Sequence, residues 1–230
     1  MKISNFEDIA VEAVFSPAVA KPKTKTGIYA RYFKRAGDLL IALIAAPVIV
    51  PVIAVLWFWV RRDGGSGFFV QDRVGLDGKV FRCLKLRTMV VDAEKVLEDM
   101  CASDPEIARE WKVNQKLAKD PRITTVGRFL RATSLDELPQ FYNVVRGEMS
   151  FVGPRPFLPS QQADYDQAGG RAYYDVRPGV TGLWQVSGRG ETTFIERVDF
   201  DEDYVADLSL KSDIRLLFQT VGVVLKKTGH

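Results

Sequence analysis

The sequence predicts an α+β fold, mostly α, in which a proline-broken, re-entrant membrane helix precedes a cytosolic domain with a small β-hairpin. Three observations predict it. "DLLIALIAAPVIVPVIAVLWFWV", Asp38 to Val60, is apolar after its first residue, and about 20 such residues suffice to cross a bilayer as a helix. Two apolar-aromatic runs flank Asp77-Gly78, a favoured hairpin-turn dipeptide. Several later stretches carry helical caps and helical spacing of apolar residues.

Three regions follow in order. Residues 1–30 form a flexible N-terminal segment, because "SPAVAKPKTKTG" is rich in Pro, Lys and Thr with little periodicity. A short helix over 3–15 is compatible with it. No apolar core follows the first lysine directly, so a signal peptide is not expected. Residues 31–62 form the membrane-associated helix. Pro47 and Pro51 remove backbone donors at mid-run and bend the helix. Both flanks are basic, with Arg31, Lys34 and Arg35 before and Arg61 and Arg62 after, so the positive-inside tendency gives no orientation. A re-entrant path keeps both ends on the cytoplasmic face, and a single kinked span is the alternative. Trp57 and Trp59 suit an interfacial anchor at the exit.

Residues 63–230 form the cytosolic domain. "GGSG" is a flexible joint, and the hairpin follows, with Lys85 and Arg87 two apart and therefore on one face of its second strand. Helices are expected from Asp92 to about Cys101 and over 104–117, the latter capped by Asp104 with Pro105 at its first position. "KDPRIT" is a turn, and Gly127 to Ala132 a short basic helix. Pro159 to Tyr174 reads as a polar helix, "VRPGVTGLWQVSGRG" as a glycine-rich loop, and 192–210 as a helix with many exposed acids. Leu208 to Lys227 is the last helix. Its Ile214, Leu217, Phe218, Val221 and Leu225 share a face, taken as core by default with the bilayer as alternative, and Lys226 and Lys227 close it.

Composition narrows the chemistry. Of 230 residues, 47% are apolar and 27% charged, with a net charge of +3. That excess falls short of a dedicated nucleic-acid binder and suits an anionic ligand or membrane surface. Cys83 and Cys101 lie in unrelated contexts and are expected to be reduced thiols. The only histidine is His230, which removes histidine triads, histidine general bases and most zinc sites. Carboxylates, Lys, Arg and an oxygen-liganded metal remain.

The carboxylates stand out at Asp136-Glu137. "SLDE" at 134–137 matches a capping box, the ordinary reading of two acids at a helix start. A helix capped by Ser134 would place Pro139 at its fifth position, where the missing N–H loses a bond. One capped by Asp136 would place Pro139 third, where that N–H is an orphan anyway. Both options stay open at this level. Arg122, Arg128, Arg131, Arg146 and Arg155 recur beside turns, as phosphate-binding arginines do. In Gly153-Pro154-Arg155-Pro156 two prolines restrain one arginine. A carboxylate pair among arginines, without histidine, suggests phosphoryl transfer through an acyl-phosphate, with a neighbouring carboxylate holding Mg²⁺. No Walker or kinase glycine loop occurs, so ATP is not indicated. "GVTGLWQVSGRG" offers Trp184, Gln185 and Arg189 to a nucleotide or sugar, although a lone Trp184 is more often core.

The stretches "KRAGDLL", "QDRVGLDGKVFRCLKLRTM", "DPRITTVGRFLRATSLDELPQFYNVVRGEMSFVGPRP" and "RPGVTGLWQVSGR" resemble the bacterial sugar transferases, the monotopic phosphoglycosyl transferases of polyprenyl-phosphate pathways. The likeness runs from about Lys34 to the C-terminus and is nearest to the short exopolysaccharide-initiating galactosyl- and glucosyl-phosphate type. It implies a membrane-bound catalytic domain on the cytoplasmic face of the inner membrane. There a UDP-sugar, UDP-galactose or UDP-glucose foremost, would give its sugar 1-phosphate to undecaprenyl phosphate and release UMP. By the same resemblance Asp136 would be the nucleophile and Glu137 the Mg²⁺ ligand. Lys85, Arg87, Arg128, Arg131, Arg155, Gln185 and Arg189 would bind substrate. The implied partners are the UDP-sugar, undecaprenyl phosphate and inner-membrane lipid, with no nucleic acid and with a homo-oligomer left open. Two departures are visible: Leu86 stands where the K-F-R-T-M signature has Phe, and Ala46-Pro47 where many members have Ser-Pro. The alternative to catalysis is a membrane-anchored basic scaffold or regulator.

Overall fold

The structure, a computed structural model, describes residues 27–114, 117–188 and 192–225. The expected short helix over 3–15, most of the N-terminal segment, and Lys226 and Lys227 lie outside the described residues. Nine α-helices are described around two small two-stranded sheets.

Helix α1 (Lys34–Val60) continues through Pro47 and Pro51, so the expected break does not divide it into two helices. By length and composition it is the one described helix able to cross a membrane, and only 11% of its most apolar window is buried. Its two ends are buried on the domain, and its middle meets it only along a half-buried stripe of Ala45, Ala46, Ile49 and Ile53. Lys34, Asp38 and Ala42 are buried at one end and Leu56 and Val60 at the other. No residue from Leu43 to Val55 is buried.

The first end is held by polar contacts. Lys34 Nζ meets Asp213 Oδ2 at 2.6 Å, and the Tyr29 and Tyr204 hydroxyls donate to the same carboxylate. Asp38 accepts from the Ser150 hydroxyl and the Phe151 N–H. Arg35 donates to the carbonyls of Val144 and Val145. The second end is apolar: Leu56 and Val60 cluster with Leu86 and Leu130, and Trp57, Leu135 and Leu138 pack against them. Arg61 lies over the Trp57 ring at 4.6 Å.

The hairpin forms as expected. Strands β1 (Phe68–Val74) and β2 (Val80–Leu86) pair antiparallel, with Val74 opposite Val80. Asp77 and Gly78 both take positive φ, 58° and 75°, as a primed two-residue turn requires. The "GGSG" joint ahead of it is tied down rather than loose. Arg87 bonds the Asp63 carboxylate and the Ser66 carbonyl, and a Cβ on Gly67 would lie 2.4 Å from the Trp57 ring.

Helices α2 (Ala93–Ser103) and α3 (Pro105–Asn114) follow, the latter after Asp104, whose Oδ1 accepts from the N–H of Glu106. Helix α4 (Thr125–Ala132) is capped by the Thr124 hydroxyl. Helix α5 (Gln140–Arg146) packs against β2 and leads into β3 (Ser150–Val152). The polar helix expected over 159–174 is broken. Only α6 (Gln162–Gln167) is α-helical, and Gly169, at φ +86°, turns the chain before a tight turn at Ala172–Asp175.

The glycine-rich stretch is not an open loop. It contributes β4 (Gly179–Thr181), parallel to β3, and then α7 (Leu183–Ser187). Its glycines allow close backbone approach: a Cβ on Gly179 would lie 2.1 Å from the Gly153 nitrogen, and one on Gly182 2.0 Å from the Gly153 carbonyl.

Helix α8 (Arg197–Ala206) is shorter than expected and buries Arg197, Val198, Asp201 and Tyr204 on one face. Helix α9 (Leu210–Leu225) overturns the core assignment of its apolar face. Leu216 is buried and Leu217 half-buried, but Ile214, Phe218 and Val221 are exposed. The helix is seated through Ser212, Asp213 and Leu216, so the polar pair with Lys34 sets its rotation.

Lys34→Met should therefore destabilise the fold by about 3–5 kcal/mol, because it strips the cation from a buried carboxylate. Adding Asp213→Leu should recover much of that loss. Thermal unfolding of the detergent-solubilised protein checks both.

Candidate active site

Asp136 and Glu137 sit on a single tight 3₁₀ turn, Leu135–Glu137, between α4 and α5. Neither capping option drawn from the sequence is realised. Ser134 has left-handed φ, +56°, and its side chain makes no cap bond, while the α-helical residues begin only at Gln140 with Pro139 at the cap position. The backbone bonds explain why. Leu138 N–H donates to Leu135 and Phe141 N–H to Leu138, so the ladder steps around the missing proline donor. Leu135 and Leu138 anchor the turn in the apolar cluster at the end of α1.

The two carboxylates have different surroundings. Glu137 Oε1 pairs with Lys85 Nζ at 2.8 Å and with Arg155 Nη2 at 3.2 Å. Among the described residues, no side chain bonds or ion-pairs with Asp136. Burial pushes the Asp136 carboxyl above its ordinary value, and neighbouring Glu137 adds to that, while Lys85 and Arg131 pull it back. The group is thus kept poorly solvated beside cations, which suits a nucleophile.

Arg155 is presented by a backbone clamped from several sides. Arg73 donates to the Pro156 carbonyl at 3.1 Å and Arg197 to the Arg155 carbonyl at 2.6 Å. The N–H of Gly179 donates to Pro154, and that of Gly153 to Thr181. Arg197 also lies over the Trp184 ring at 4.7 Å, so the face of that ring is already taken by protein. Burial pulls the Arg73 and Arg197 guanidinium pKa values down, and the charge of Arg155 adds to both shifts.

A cleft of about 1050 Å³ brings together Lys85, Arg87, Arg131, Asp136, Glu137 and Arg155. Arg87 lines it as well, on the same side as Lys85 two residues before, but its guanidinium is committed to Asp63. Arg131 reaches the Thr88 hydroxyl. Arg128 turns back onto Ile123 and Thr125 and does not line the cleft. Gln185 lines a different, apolar pocket. Arg189 lies outside the described residues. Outside the carried-over set, Arg122 is buried in an ion pair with Asp120 and stacks on Trp111. Sequence reasoning missed Arg73 and Arg197. The spacing of Arg197, Val198, Asp201 and Tyr204 was the available signal for a buried α8 face.

For a metal, the described residues contain no cluster of three His, Cys, Asp or Glu side chains. Magnesium is commonly held by one or two carboxylates together with substrate phosphates. The Asp136–Glu137 pair fits that donor chemistry, provided Lys85 and Arg155 share Glu137 with the ion.

The family described as "Bacterial sugar transferase" matches residues 29–227, and this chain belongs to it. It is 50% identical over 200 residues to the UDP-galactose-lipid carrier transferase of Erwinia amylovora, covering 86% of this chain and 42% of that protein. The undecaprenyl-phosphate galactose phosphotransferase of Salmonella typhimurium is 45% identical, with the same coverage. The exopolysaccharide production protein ExoY of Rhizobium meliloti is 43% identical over 197 residues, 85% of this chain and 87% of that one. The chain thus spans under half the length of the first two relatives and most of the third.

Beneath the site, the Tyr165 hydroxyl donates to Asp201, whose carboxyl is pushed up to about 7 by burial, against the pull of Arg197. Between the ordinary value of 3.8 and about 7 the folded state therefore holds a proton that the unfolded chain releases. Asp201 makes stability fall as pH rises through that window. Asp201→Asn should flatten this slope, as read from unfolding midpoints between pH 4.5 and 8.

Proposed function

We propose that this chain moves a sugar 1-phosphate from a UDP-sugar to undecaprenyl phosphate at the start of exopolysaccharide assembly. UDP-galactose and UDP-glucose are the leading donors. The observation that carries the reading is the weakly solvated Asp136 beside a Glu137 shared by Lys85 and Arg155. A carboxylate oxygen of Asp136 attacks the sugar-bearing phosphorus of the donor. The bond from that phosphorus to the bridging oxygen breaks, and UMP leaves with the electron pair. A phosphate oxygen of the acceptor then attacks the same phosphorus and releases Asp136. Lys85, Arg131 and Arg155 offset charge on the phosphoryl oxygens. Glu137 would hold Mg²⁺, which supplies further charge neutralisation when bound.

The docking of both ends of α1 supports the re-entrant path. A helix passing straight through a bilayer would put one end beyond the domain's reach. The prolines at its middle are the place for the bend. On this reading the domain lies on the cytoplasmic face of the inner membrane, where sugar nucleotides are available. A basic scaffold would need the arginines and the anchor but leaves the half-buried Asp136 beside Glu137 unexplained.

Asp136→Asn should lower UMP release by roughly 10³-fold or more while membrane association persists, and full activity in that variant would remove Asp136 as nucleophile. Arg197→Ala should lower kcat/KM for the UDP-sugar by up to about 10²-fold by misplacing Arg155, with Arg197→Lys restoring part of it. Steady-state UMP release with undecaprenyl phosphate and Mg²⁺ measures both.

A further inference from the structure

A second compartment adjoins the dyad. It measures about 180 Å³, and its apolar wall includes Ile49 of α1, Phe141 of α5, Phe151 of β3, Val180 of β4, Val186 of α7 and Val223 of α9. Glu137 and Arg155 line it and also line the wide cleft, so the two spaces share a wall at the reacting groups. Asp136, Lys85 and Arg131 belong to the wide cleft alone. Besides the hydroxyls of Thr133, Ser134, Thr181 and Thr220, the compartment is lined by one amide, that of Gln185. Gln185 is 7% exposed, and among the described residues neither its Oε1 nor its Nε2 has a hydrogen-bond partner. A buried amide with both ends unpaired is uncommon, and a ligand that completes it is one physical reason to keep it.

We propose that this compartment receives the acceptor lipid: its first isoprene units fill the apolar space, and the Gln185 amide meets its phosphate end beside Arg155. The inference rests on the transfer reaction proposed above and divides its two substrates between two spaces. A UDP-sugar is polar and multiply charged, so it matches the wide basic cleft. A polyprenyl phosphate is an apolar chain with one charged end, and it matches a space whose walls are mainly apolar, with Glu137, Arg155 and Gln185 at one side and only the small hydroxyls of Thr133, Ser134, Thr181 and Thr220 besides. The route in is also apolar. Ile49 is half-buried at the middle of α1, beside the exposed Leu43, Ile44, Val48, Val50, Val52 and Val55. On the far rim, Val223 follows the exposed Phe218 and Val221 of α9. The volume suits the start of the chain and not its length, so the remainder stays among lipids. Gln185 thereby moves from the donor, where family likeness placed it, to the acceptor.

Two assays separate the halves of the reaction. Exchange of labelled UMP into UDP-sugar needs only the donor, and transfer to undecaprenyl phosphate needs both substrates. Val186→Phe fills the compartment, and Gln185→Glu keeps its shape while setting a carboxylate against the phosphate. Each should raise KM for undecaprenyl phosphate about tenfold more than KM for the UDP-sugar. Because Gln185→Glu is isosteric, it answers the question even where Val186→Phe fails to fold. A larger rise in the UDP-sugar KM would overturn the proposal and give the compartment to the nucleotide. Equal changes in both constants, or none, would overturn it too. Absence of exchange in the unmodified protein would instead strike the underlying reaction, whatever the variants do.

Discussion

The structure depends on one shared carboxylate. Glu137 Oε1 receives Lys85 from the hairpin and Arg155 from the Gly-Pro-Arg-Pro turn, and so joins three segments far apart in sequence. The turn carrying it is too short to hold its own geometry by helix hydrogen bonding. Its conformation comes from Leu135 and Leu138 in the apolar cluster beneath and from the two cations above. Paired in this way, Glu137 lets the neighbouring Asp136 stay poorly solvated within a cationic field. The pairing is also only half-buried, so a phosphate arriving in the cleft can compete for Lys85 and Arg155.

The cations divide into two populations with different tasks. Arg73 and Arg197 spend their donors on consecutive carbonyls of the proline-flanked turn, Arg87 ties the joint after α1, and Arg122 is locked to Asp120. Lys85, Arg131 and Arg155 line the cleft around the dyad, a cleft that Arg87 and Arg122 also border. Guanidinium suits the first task because its planar fork serves several acceptors at fixed angles. Crowding these cations around Arg155 costs burial and like-charge repulsion, visible in the lowered pKa values of Arg73 and Arg197. An anion bound at Arg155 relieves that repulsion. The site is therefore built to be most comfortable when occupied.

Local signals carried the hairpin, the Asp104 cap and the long apolar helix, because each is written in neighbours of the chain, whereas the residues that line the cleft were assigned to one site through the family resemblance. Asp77-Gly78 needs no tertiary partner to turn, and Asp104 caps with its own backbone. The misreadings arose where distant packing decided the outcome. The glycines from 179 to 182 signalled flexibility, yet what they permit is contact with Gly153, nearly thirty residues earlier. The acids of α8 looked solvated, but Asp201 is buried against Tyr165. The apolar face of α9 looked like core until the Lys34–Asp213 pair fixed the helix rotation. At 134–137 the capping box was a true pattern with a false outcome, because Pro139 reroutes the backbone ladder by one residue.

Leu135 and Leu138 share a cluster with Leu56 and Val60, so the dyad is fastened to the membrane helix by direct packing with no linker between. For a helix lodged in a bilayer, the depth of the reaction centre is then a constant of the fold. On the proposed reaction, a lipid acceptor confined to the same layer would arrive by lateral diffusion, at the height where it reacts. Capture would then be a search in two dimensions.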